Sequence, residues 1–530
     1  MNRLFIKSQD AIQRTVEGLN KDLERRIIAS PPGQCPVDLT ASFLRLCHSQ
    51  SCGKCAPCRV GLGQLQLIID GILNLDSEST MEDLELLEKT AEAISMTADC
   101  AIGSEAAKMV LRGLRGYRED FEAHIKHHTC TDKLNDWTQP VPCVAMCPAG
   151  VDVPGYMALV KAQRYDDAVK LIRKDNPFPT VCALICEHPC EAHCRRTLID
   201  APVNIRGLKR FAVDHCGDVP VPQKMDKTGK KVAVIGGGPS GLSAAYFLSI
   251  MGHDVTIFEK RDKLGGMLRY GIPSYRLPRE RLQWDIDAIL STGIDVKLNY
   301  DISTKEAIAE IRDNFDATYI SIGSHNAKDI GIPGGYSKGV IPAVEMLRGI
   351  GDEAMPDFKD KAVIVIGGGN VAMDVARTAK RLGASDVSIV YRRRKVDMTA
   401  LLFRGNIQAG KSSVVDNVKG TYAGGDCVTG PSTVIKAIAA GKVAAANIDT
   451  YLGFQHEIEC DVEIPLPEPS DNLPCGRAEL KERYAKHRGN DFDEVEQGLS
   501  LEEAMMEASR CLRCDHYGFG SFRGGRNTKW

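Results

Sequence analysis

The chain has 530 residues, of which 43% are hydrophobic and 26% charged, a composition that predicts three or four globular domains. The formal net charge of −3 excludes the strongly basic surface that nucleic acid or an anionic membrane would require. No apolar run reaches the roughly 18 residues of a membrane-spanning helix, and the N-terminus MNRLFIKSQD lacks the apolar core of a signal peptide. A cytoplasmic protein is therefore expected.

Nineteen cysteines are the main chemical signal, because a reducing cytosol favours metal or redox sites over disulfides. Twelve of them stand in suggestive groups, which are Cys52, Cys55, Cys58 and Cys100; Cys143 and Cys147; Cys182, Cys186, Cys190 and Cys194; and Cys511 and Cys514. Twelve thiolates suffice for three clusters with four ligands each. The others are expected to be small buried side chains, namely Cys35, Cys47, Cys130, Cys216, Cys427, Cys460 and Cys475.

The first predicted elements are helical. Residues 1–35 are expected to form a helical arm, since Ile12, Val16, Leu19 and Leu23 recur at helical spacing. A C-x2-C-x2-C run then follows in CGKCAPCR, with a remote cysteine in TADCAIG, and this pattern is typical of a 4Fe–4S cluster. SCGKCAPCR, DCAIGSEAA and RGYREDFEAHI resemble the cluster domain of the flavoprotein subunit of respiratory complex I. The resemblance implies a helical one-cluster domain over residues 36–128, which in that family carries electrons away from a flavin.

A linker at 132–142 leads to the next cysteine-rich region. Spacing of four among Cys182–Cys194 would suit one face of a helix, but Pro189 interrupts it and favours a ligand role. CPAGVDVPGYMALV, CEHPCEAHC and PVNIRGLKRFA resemble the N-terminal domain of the glutamate synthase small subunit. Dihydropyrimidine dehydrogenase and the NADPH-binding subunit of bifurcating transhydrogenases share that domain. The resemblance implies a helical domain with two 4Fe–4S clusters over residues 143–218.

The chain departs from that family in two places. The family's EAxRCLxC run precedes its C-x3-C-P motif, whereas here it stands at 507–514. We infer that Cys511 and Cys514 fold back to join Cys143 and Cys194. In addition, Lys209 occupies the place of a Gln or Glu ligand, and an ammonium cannot bind iron. The implied replacement is Cys182, in a set with Cys147, Cys186 and Cys190; this grouping rests on that one substitution.

Residues 232–260 predict a dinucleotide-binding βαβ unit. An apolar strand runs into a G-x-G-x-x-G turn, and a helix and a second strand follow. The glycines of such a turn let a pyrophosphate approach the helix N-terminus, and an acid after the second strand binds ribose hydroxyls. The residues in these roles are Gly236, Gly238, Gly241 and Glu259.

The nucleotide at this unit is identified by resemblance. TYAGGDCVTGPSTVIKAIAAGKVAAANI resembles the second FAD motif of two-dinucleotide flavoproteins, and LGGMLRYGIPSYRLP matches the glutamate synthase family. The resemblance implies FAD, with Asp426 at its ribityl or phosphate end and Gly265 and Gly266 lining the site. A helix beginning near Thr433 would point its N-terminus at the flavin ring and favour the anionic reduced form.

A second unit, KAVIVIGGGNVAMDVARTAKRLGASDVSIVYRRRK, carries G-x-G-x-x-A. Its binding turn contains Gly367, Gly369 and Asn370. Arg392 and Arg393 stand where an NAD-specific domain has an acid, and guanidinium groups bind a 2′-phosphate. The unit is predicted to bind NADP(H), although a merely solvated arginine loop is the alternative.

The predicted domains are the FAD domain at 231–340 and 419–455, the NADP domain at 341–418 and a tail at 456–530. Between Met398 and Gly424 the chain has far fewer residues than the family, so about half of a Rossmann domain is missing. Either the natural domain is trimmed, or the sequence lacks a segment.

The predicted fold class is α/β, a two-dinucleotide-binding flavoprotein with helical N-terminal iron–sulfur domains. The chain resembles the NADP-binding flavoprotein subunit of NADH-dependent NADPH:ferredoxin transhydrogenase complexes. This implies an enzyme that passes electrons between NADPH, FAD, three 4Fe–4S clusters and partner subunits with NADH/FMN or ferredoxin-type sites. No catalytic side chain is named, because the cofactors carry hydride chemistry. The alternatives are a glutamate synthase small subunit, an NADP-linked hydrogenase or formate dehydrogenase subunit, and a non-catalytic relay.

Overall fold

The computed structural model describes residues 36–74, 79–127, 141–325, 333–335, 337–352, 354–391, 415, 418–466 and 474–517. The predicted arm at 1–35, nearly all of the 132–142 linker, Arg392 and Arg393 lie outside the described residues. The same holds for most of the shortened region between Met398 and Gly424.

The first described region is helical. Its helices are α1 (Pro36–Gln50), α2 (Leu62–Leu73), α3 (Met81–Thr97), α4 (Ala101–Gly116) and α5 (Arg118–His127), with a π-helical turn at Pro57–Gly61. Helix α3 begins at a capping box, in which Thr80 N–H donates to Asp83 Oδ2 at 2.7 Å. Apolar faces from all five helices form one core, to which Leu44, Leu65 and Leu87 contribute.

A second helical region follows. It contains α6 (Pro142–Ala145), α7 (Val153–Lys161), α8 (Tyr165–Asp175), α9 (Pro179–Ile185), α10 (Pro189–Ala192), a 3₁₀ turn at Arg195–Leu198 and α11 (Ile205–His215). Helix α9 ends at Ile185 and α10 restarts at Pro189, with His188 at φ 42° between them. The interruption expected from Pro189 is therefore present, so Cys182 and Cys190 lie on different helices.

Five parallel strands form the main sheet, in the order β3-β2-β1-β4-β7. The strands are β1 (Lys231–Ile235), β2 (Asp254–Phe258), β3 (Asp295–Lys297), β4 (Ala317–Ile320) and β7 (Thr421–Ala423). Their connecting helices are α12 (Pro239–Ile250), α13 (Met267–Tyr270), α14 (Arg279–Leu290), α15 (Lys305–Asn314), α18 (Asp426–Thr429) and α19 (Val434–Tyr451). Strand β7 pairs with β4 in the register Thr318↔Thr421, so the chain returns to this sheet after the second nucleotide motif.

The second nucleotide motif forms a smaller unit. It consists of α16 (Ala343–Gly351), β5 (Ala362–Ile366), α17 (Asn370–Arg381) and β6 (Asp386–Val390). Strands β5 and β6 are parallel, and α16 and α17 cover one face. On the strands Ile364, Ile366 and Val390 are 68%, 59% and 55% exposed. Such exposure suits a Rossmann unit of which only one βαβ part is described here.

The described C-terminal part contains α20 (Ala485–Arg488), α21 (Leu501–Ser509) and α22 (Cys514–Tyr517). Helix α21 starts at a capping box formed by Ser500 and Glu503 and packs on α7 and α11. Hydrogen bonds hold the C-terminal end of α19 against two histidines. Asp449 Oδ1 lies 2.8 Å from His253 Nε2 and 2.7 Å from His456 Nδ1. The ligand atoms of these three residues lie within 4.8 Å of one another, but they already share hydrogen bonds.

Cysteines outside the predicted ligand sets differ in burial. Cys47 and Cys427 are buried, as expected, whereas Cys216 and Cys460 are half-buried. Cys475 is exposed, so the expectation of a buried side chain is wrong there; Asp200 Oδ2 accepts its backbone N–H and holds it at the surface. Among the described helices, none has both the length and the apolar character needed to cross a bilayer.

Candidate electron-transfer site

The first cysteine set, here called the N-terminal set, consists of Cys52, Cys55, Cys58 and Cys100. Cys55 and Cys58 flank the start of the π-helical turn, and Cys100 caps the N-terminus of α4. A Cβ on Gly103 would come within 2.6 Å of Cys58 Sγ, so the glycine lets α4 approach this sulfur. The structure brings Cys55, Cys58 and Cys100 together, while Cys52 lies exposed at the head of the run.

The Cys100 thiol is set up to ionise. A hydrogen bond from Cys58 lowers the pKa of Cys100 to about 6, and the backbone N–H groups of Ile102 and Gly103 act in the same direction. Amides at a helix N-terminus favour negative charge, as a metal-bound thiolate requires. The Cys58 thiol has a raised pKa, because it donates that hydrogen bond and is buried.

The second set, the C-terminal set, consists of Cys143, Cys194, Cys511 and Cys514. Burial raises the pKa of Cys143 well above its usual value, and the neighbouring sulfurs of Cys511, Cys514 and Cys194 add to the increase. The Cys194 sulfur likewise acts to raise the pKa of Cys511 and of Cys514. Burial raises the pKa of Cys511 well above its usual value and that of Cys514 to about 11. The structure therefore brings the two ends of this set together across more than 300 residues of chain.

Buried ion pairs fix the C-terminal run in this place. Glu507 accepts the backbone N–H groups of Asn204 and Ala478, each at 2.7 Å, and pairs with Arg510 at 2.5 Å. Arg510 also binds Asp200 at 2.9 Å. Glu507 and Arg510 are fully buried, so each charge depends on its partner. The sequence singled out this run for its cysteines, whereas Glu507 and Arg510 do the docking.

The third set, the central set, consists of Cys147, Cys182, Cys186 and Cys190. Cys182 and Cys186 share a thiol hydrogen bond, which raises the pKa of Cys182 and lowers that of Cys186 to about 6. Cys147 and Cys186 are electrostatic neighbours of Cys190. The His188 N–H points at Cys186 Sγ at 3.3 Å, a bond that favours the thiolate.

Lys209 completes the surroundings of the central set. It lies on α11 and is buried. Burial lowers its pKa, but the sulfurs of all four central cysteines oppose this, and the net pKa is raised. Lys209 is thus a cation close to the sulfur atoms. It occupies the position where the resemblance to the glutamate synthase small subunit domain implies a Gln or Glu ligand.

The N-terminal and C-terminal sets lie at adjoining faces of the two helical regions. Ala145, two residues from Cys143, belongs to the core of the first region, and Met146 packs against that core. The positive charge of Arg195, next to Cys194, acts to lower the pKa of both Cys514 and the buried His48 of α1. Burial, with Arg195, lowers the pKa of His48 to about 4, so this imidazole between the regions is neutral.

The first nucleotide turn forms a tight cradle at the carboxyl edge of the main sheet. Gly236 has φ +107°, and a Cβ there would come within 2.6 Å of Ser321 O. A Cβ on Gly266 would lie 2.8 Å from Gly238 Cα, so only glycines permit this approach. A Cβ on Gly241 would lie 2.0 Å from Gly236 O, which explains the third glycine of the motif. A tight glycine turn at the N-terminus of α12 is the arrangement to which a pyrophosphate binds in such units.

Glu259 lies beside this turn, after β2. Its two carboxylate oxygens accept the N–H groups of Gly237 at 2.7 Å and Arg261 at 2.9 Å. Gly265 N–H donates to Gly237 O at 2.8 Å, which joins the second glycine pair to the same turn. The predicted residues therefore meet at one point, although Glu259 also holds the loop, a role that the sequence did not indicate.

Asp426 and Thr433 lie across the same edge of the sheet. Burial raises the pKa of Asp426 to about 6, against a hydrogen bond from the Ser432 N–H. Thr433 is the N-cap of α19, and its buried Oγ1 has no hydrogen-bond partner in the described structure. An orphaned hydroxyl and a free helix N-terminus are groups that a bound flavin satisfies, so the residues present fit FAD.

The second nucleotide turn has the same form. Gly367 has φ +135° after β5, Gly369 is the N-cap of α17, and Asn370 begins the helix. Asn370 Nδ2 donates to Glu187 Oε1 at 3.1 Å, beside the central set. A cleft of about 700 Å³ lies there between α17, the Cys186 loop and the C-terminal segment. This turn therefore opens next to the central set.

Models of three families match the chain. The iron–sulfur binding region of NADH-ubiquinone oxidoreductase F matches residues 38–124, and dihydropyrimidine dehydrogenase domain II, 4Fe-4S cluster, matches 125–219. Pyridine nucleotide-disulphide oxidoreductase matches 200–272 and 230–402. These matches confirm the recognised families and the predicted fold class.

Curated relatives agree. The chain is 30% identical to the beta subunit of an NADP(+)-dependent formate dehydrogenase from Moorella thermoacetica, over 91% of both chains. It is 36% identical to the beta subunit of an NADPH-Fe(3+) oxidoreductase from Geobacter sulfurreducens, over 68% of this chain and 55% of that one. It is 34% identical to a Bacillus subtilis glutamate synthase small chain, over 46% and 51%.

The first alignment runs over 647 residues, more than the 530 of this chain, so that relative carries residues that are absent here. The iron–sulfur regions, the flavoprotein fold and this near-full-length match point to one conclusion. The chain is an NADP-dependent flavo-iron–sulfur oxidoreductase subunit, a member of the family that contains the beta subunit of NADP(+)-dependent formate dehydrogenase.

Proposed function

We propose that this subunit passes electrons between NADP(H) and a partner subunit through FAD and three 4Fe–4S clusters. The observation that carries the proposal is that eleven of the twelve cysteines meet in three groups, with Cys52 exposed beside the N-terminal group. FAD, when bound, exchanges a hydride on one side and single electrons on the other. The chain's residues supply binding, orientation and charge.

Each cysteine set is assigned one cluster. The N-terminal, C-terminal and central sets supply four thiolates each, the number that a 4Fe–4S cube takes. The thiols with a pKa of about 6, Cys100 and Cys186, are those held as thiolates most easily. Cys52 would complete the N-terminal set from its exposed loop.

The flavin site is assigned to the glycine cradle. Gly236, Gly238 and Gly241 with Gly265 and Gly266 would take the pyrophosphate, and Glu259 the ribose hydroxyls. Asp426 would hold the ribityl or phosphate end. The Thr433 hydroxyl and the N-terminus of α19 would face the flavin ring.

The nicotinamide nucleotide is assigned to the second turn. Gly367, Gly369 and Asn370 would bind the NADP(H) pyrophosphate at the N-terminus of α17. Arg392 and Arg393 would bind the 2′-phosphate. No side chain of this chain is assigned a proton, because positioning is the protein's task in hydride transfer.

The order of the sets follows from what lies beside each one. Lys442 of the flavin helix α19 donates to Ala149 O at 3.2 Å, two residues from Cys147. The central set is therefore next to the nucleotide sites, and the C-terminal set follows. The N-terminal set is assigned to the end of this series, where we place the partner subunit. This order makes the N-terminal domain the port through which electrons leave or enter.

Two partners are proposed. The match to a formate dehydrogenase beta subunit covers 91% of this chain and so reaches into the N-terminal domain, which favours a partner that oxidises formate or reduces carbon dioxide. A transhydrogenase partner with NADH/FMN or ferredoxin-type sites is the second candidate, because the N-terminal domain is of the kind that receives electrons from a flavin-bearing NADH dehydrogenase.

An anaerobic assay of the complete complex separates these candidates. NADP+ reduction with formate supports the first partner, and reduction with NADH plus reduced ferredoxin supports the second. The isolated chain should first bleach its FAD absorbance with NADPH. If NADPH leaves a fully loaded flavin oxidised, the shortened domain does not act on nicotinamide, and the chain is a relay.

A further inference from the structure

Lys209 is a buried cation, 7% exposed, and has no acidic partner among the residues that the structure describes. Within the described structure, no carboxylate lies at ion-pair distance from its ammonium, and the ring of Tyr156 lies 5.6 Å from Nζ. The four sulfurs of the central set are the largest electrostatic influences on Lys209.

Other buried cations nearby are paired in the usual way. Arg210, one residue further along α11, binds Glu494 and Asp214, and Arg510 binds Glu507 and Asp200. Removing a charge from water is costly unless an opposite charge compensates it. For Lys209 the compensation comes from sulfur, which is effective when the thiols are ionised, as they are around iron.

We propose that Lys209 is a fixed positive charge that raises the reduction potential of the cluster in the central set. The inference rests on the proposed function, which places a cluster there. Reduction adds one electron to that cluster and transfers no proton, since the Lys209 ammonium keeps its charge in both states. The cation stabilises the added negative charge, because Coulomb attraction is strong in a buried site, and local charge helps to set cluster potentials.

The consequence concerns the place of this set in the chain of electron carriers. The central set is next to the flavin helix and to the second nucleotide turn. A raised potential there draws electrons from the nucleotide side and holds them before they move outward. A neutral residue at position 209 would remove that preference without removing any ligand.

Three variants of the complete, cofactor-loaded chain test the proposal. Lys209→Met removes the charge and keeps an unbranched apolar stem, whereas Lys209→Arg keeps the charge. Lys161→Met removes one positive charge at the exposed end of α7, in the same helical region, and serves as the control. The readouts are iron content and an EPR-monitored redox titration of each cluster signal.

Lys209→Met should keep the wild-type iron content and lower one cluster's midpoint, with at least a tenfold loss in its reduction equilibrium constant, which is 59 mV for one electron. Lys209→Arg and Lys161→Met should titrate as wild type. An unchanged midpoint in fully loaded Lys209→Met overturns the proposal, and so does loss of one cluster's iron, because Lys209 would then assemble the site. Wild-type protein with iron for fewer than three clusters would instead contradict the proposed function.

Discussion

The carboxylate of Asp285 accepts the backbone N–H of Val181 at 2.8 Å and that of Thr180 at 3.3 Å. Asp285 lies on α14 of the flavin domain, while Val181 begins the turn of α9 that carries Cys182. A fully buried acid thus ties the helix of a central-set ligand to the nucleotide-binding domain. Nothing in the local sequence indicates this contact, because it joins residues about a hundred positions apart.

This contact predicts a pH dependence. Burial raises the pKa of Asp285 to about 7, above the roughly 3.9 of an unfolded Asp. The folded state therefore binds the extra proton, and its stability falls as pH rises from about 4 through 7. The Asp285→Asn variant cannot ionise at this position, so only the wild type loses this stability as pH rises. The amount by which the free energy of unfolding of the variant falls below that of the wild type should therefore shrink by about 1 kcal/mol between pH 6 and 8. Urea-induced flavin release at both pH values measures this difference in stability. A difference that is the same at pH 6 and pH 8 would mean that Asp285 is already ionised at pH 6.

The ligand role of Cys182 leads to a rescue experiment. Cys182→Ala should lose or convert the central cluster, because three cysteines remain. Adding Lys209→Gln supplies an amide oxygen at the position where the related domain uses a Gln or Glu ligand, and should restore the iron. Iron analysis and EPR of both variants provide the check. Full iron in the single variant would show that Cys182 is not a ligand.

The C-terminal run should be needed for a second cluster. A chain ending at residue 499 lacks Cys511 and Cys514 and should lose about four iron atoms. A chain ending at residue 517 keeps both and serves as the matched control. Glu507→Ala should weaken the site without removing a ligand. Arg510 would keep only Asp200 as an acidic partner, and the buried N–H groups of Asn204 and Ala478 would each lose their acceptor at a cost of about 1–3 kcal/mol. Wild-type iron in the shorter chain would refute this role.

Arg392 and Arg393 should select NADP(H). Each charge-assisted contact to the 2′-phosphate is worth roughly 1.5–3 kcal/mol, so loss of even one contact weakens NADPH binding about tenfold, and the double alanine variant should lose more than that. NADH lacks that phosphate, and its affinity should change little. Parallel titrations of FAD reduction with the two nucleotides make the comparison. Equal losses for both would show that these arginines do not bind the 2′-phosphate.

The sequence predicted the parts of this protein that depend on spacing. The C-x2-C-x2-C run and the glycine turns have local meaning, so the recognised families and the fold class are confirmed. The fold-back of Cys511 and Cys514 was predicted because their motif stands near the C-terminal end of this chain, whereas the related family has it before the C-x3-C-P motif. Long-range polar contacts could not be predicted from the sequence, because Glu507, Asp285 and His253 form their hydrogen bonds only when distant segments meet. The burial of Lys209 could be predicted, since Lys209 occupies the position of a ligand in the related family. The sequence did not indicate that its ammonium has no carboxylate partner among the described residues.

Cys55→Ala in the assembled complex tests the central claim most directly. The N-terminal set should be the port to the partner, so the variant should keep NADPH reduction of FAD at the wild-type rate, since both nucleotide sites are intact. Its EPR spectrum should lack one reduced cluster, and transfer from NADPH to the partner's acceptor should stop. If the complex without that cluster still turned over at the wild-type rate, electrons would be leaving by another route, and the assigned order of the three sets would be contradicted.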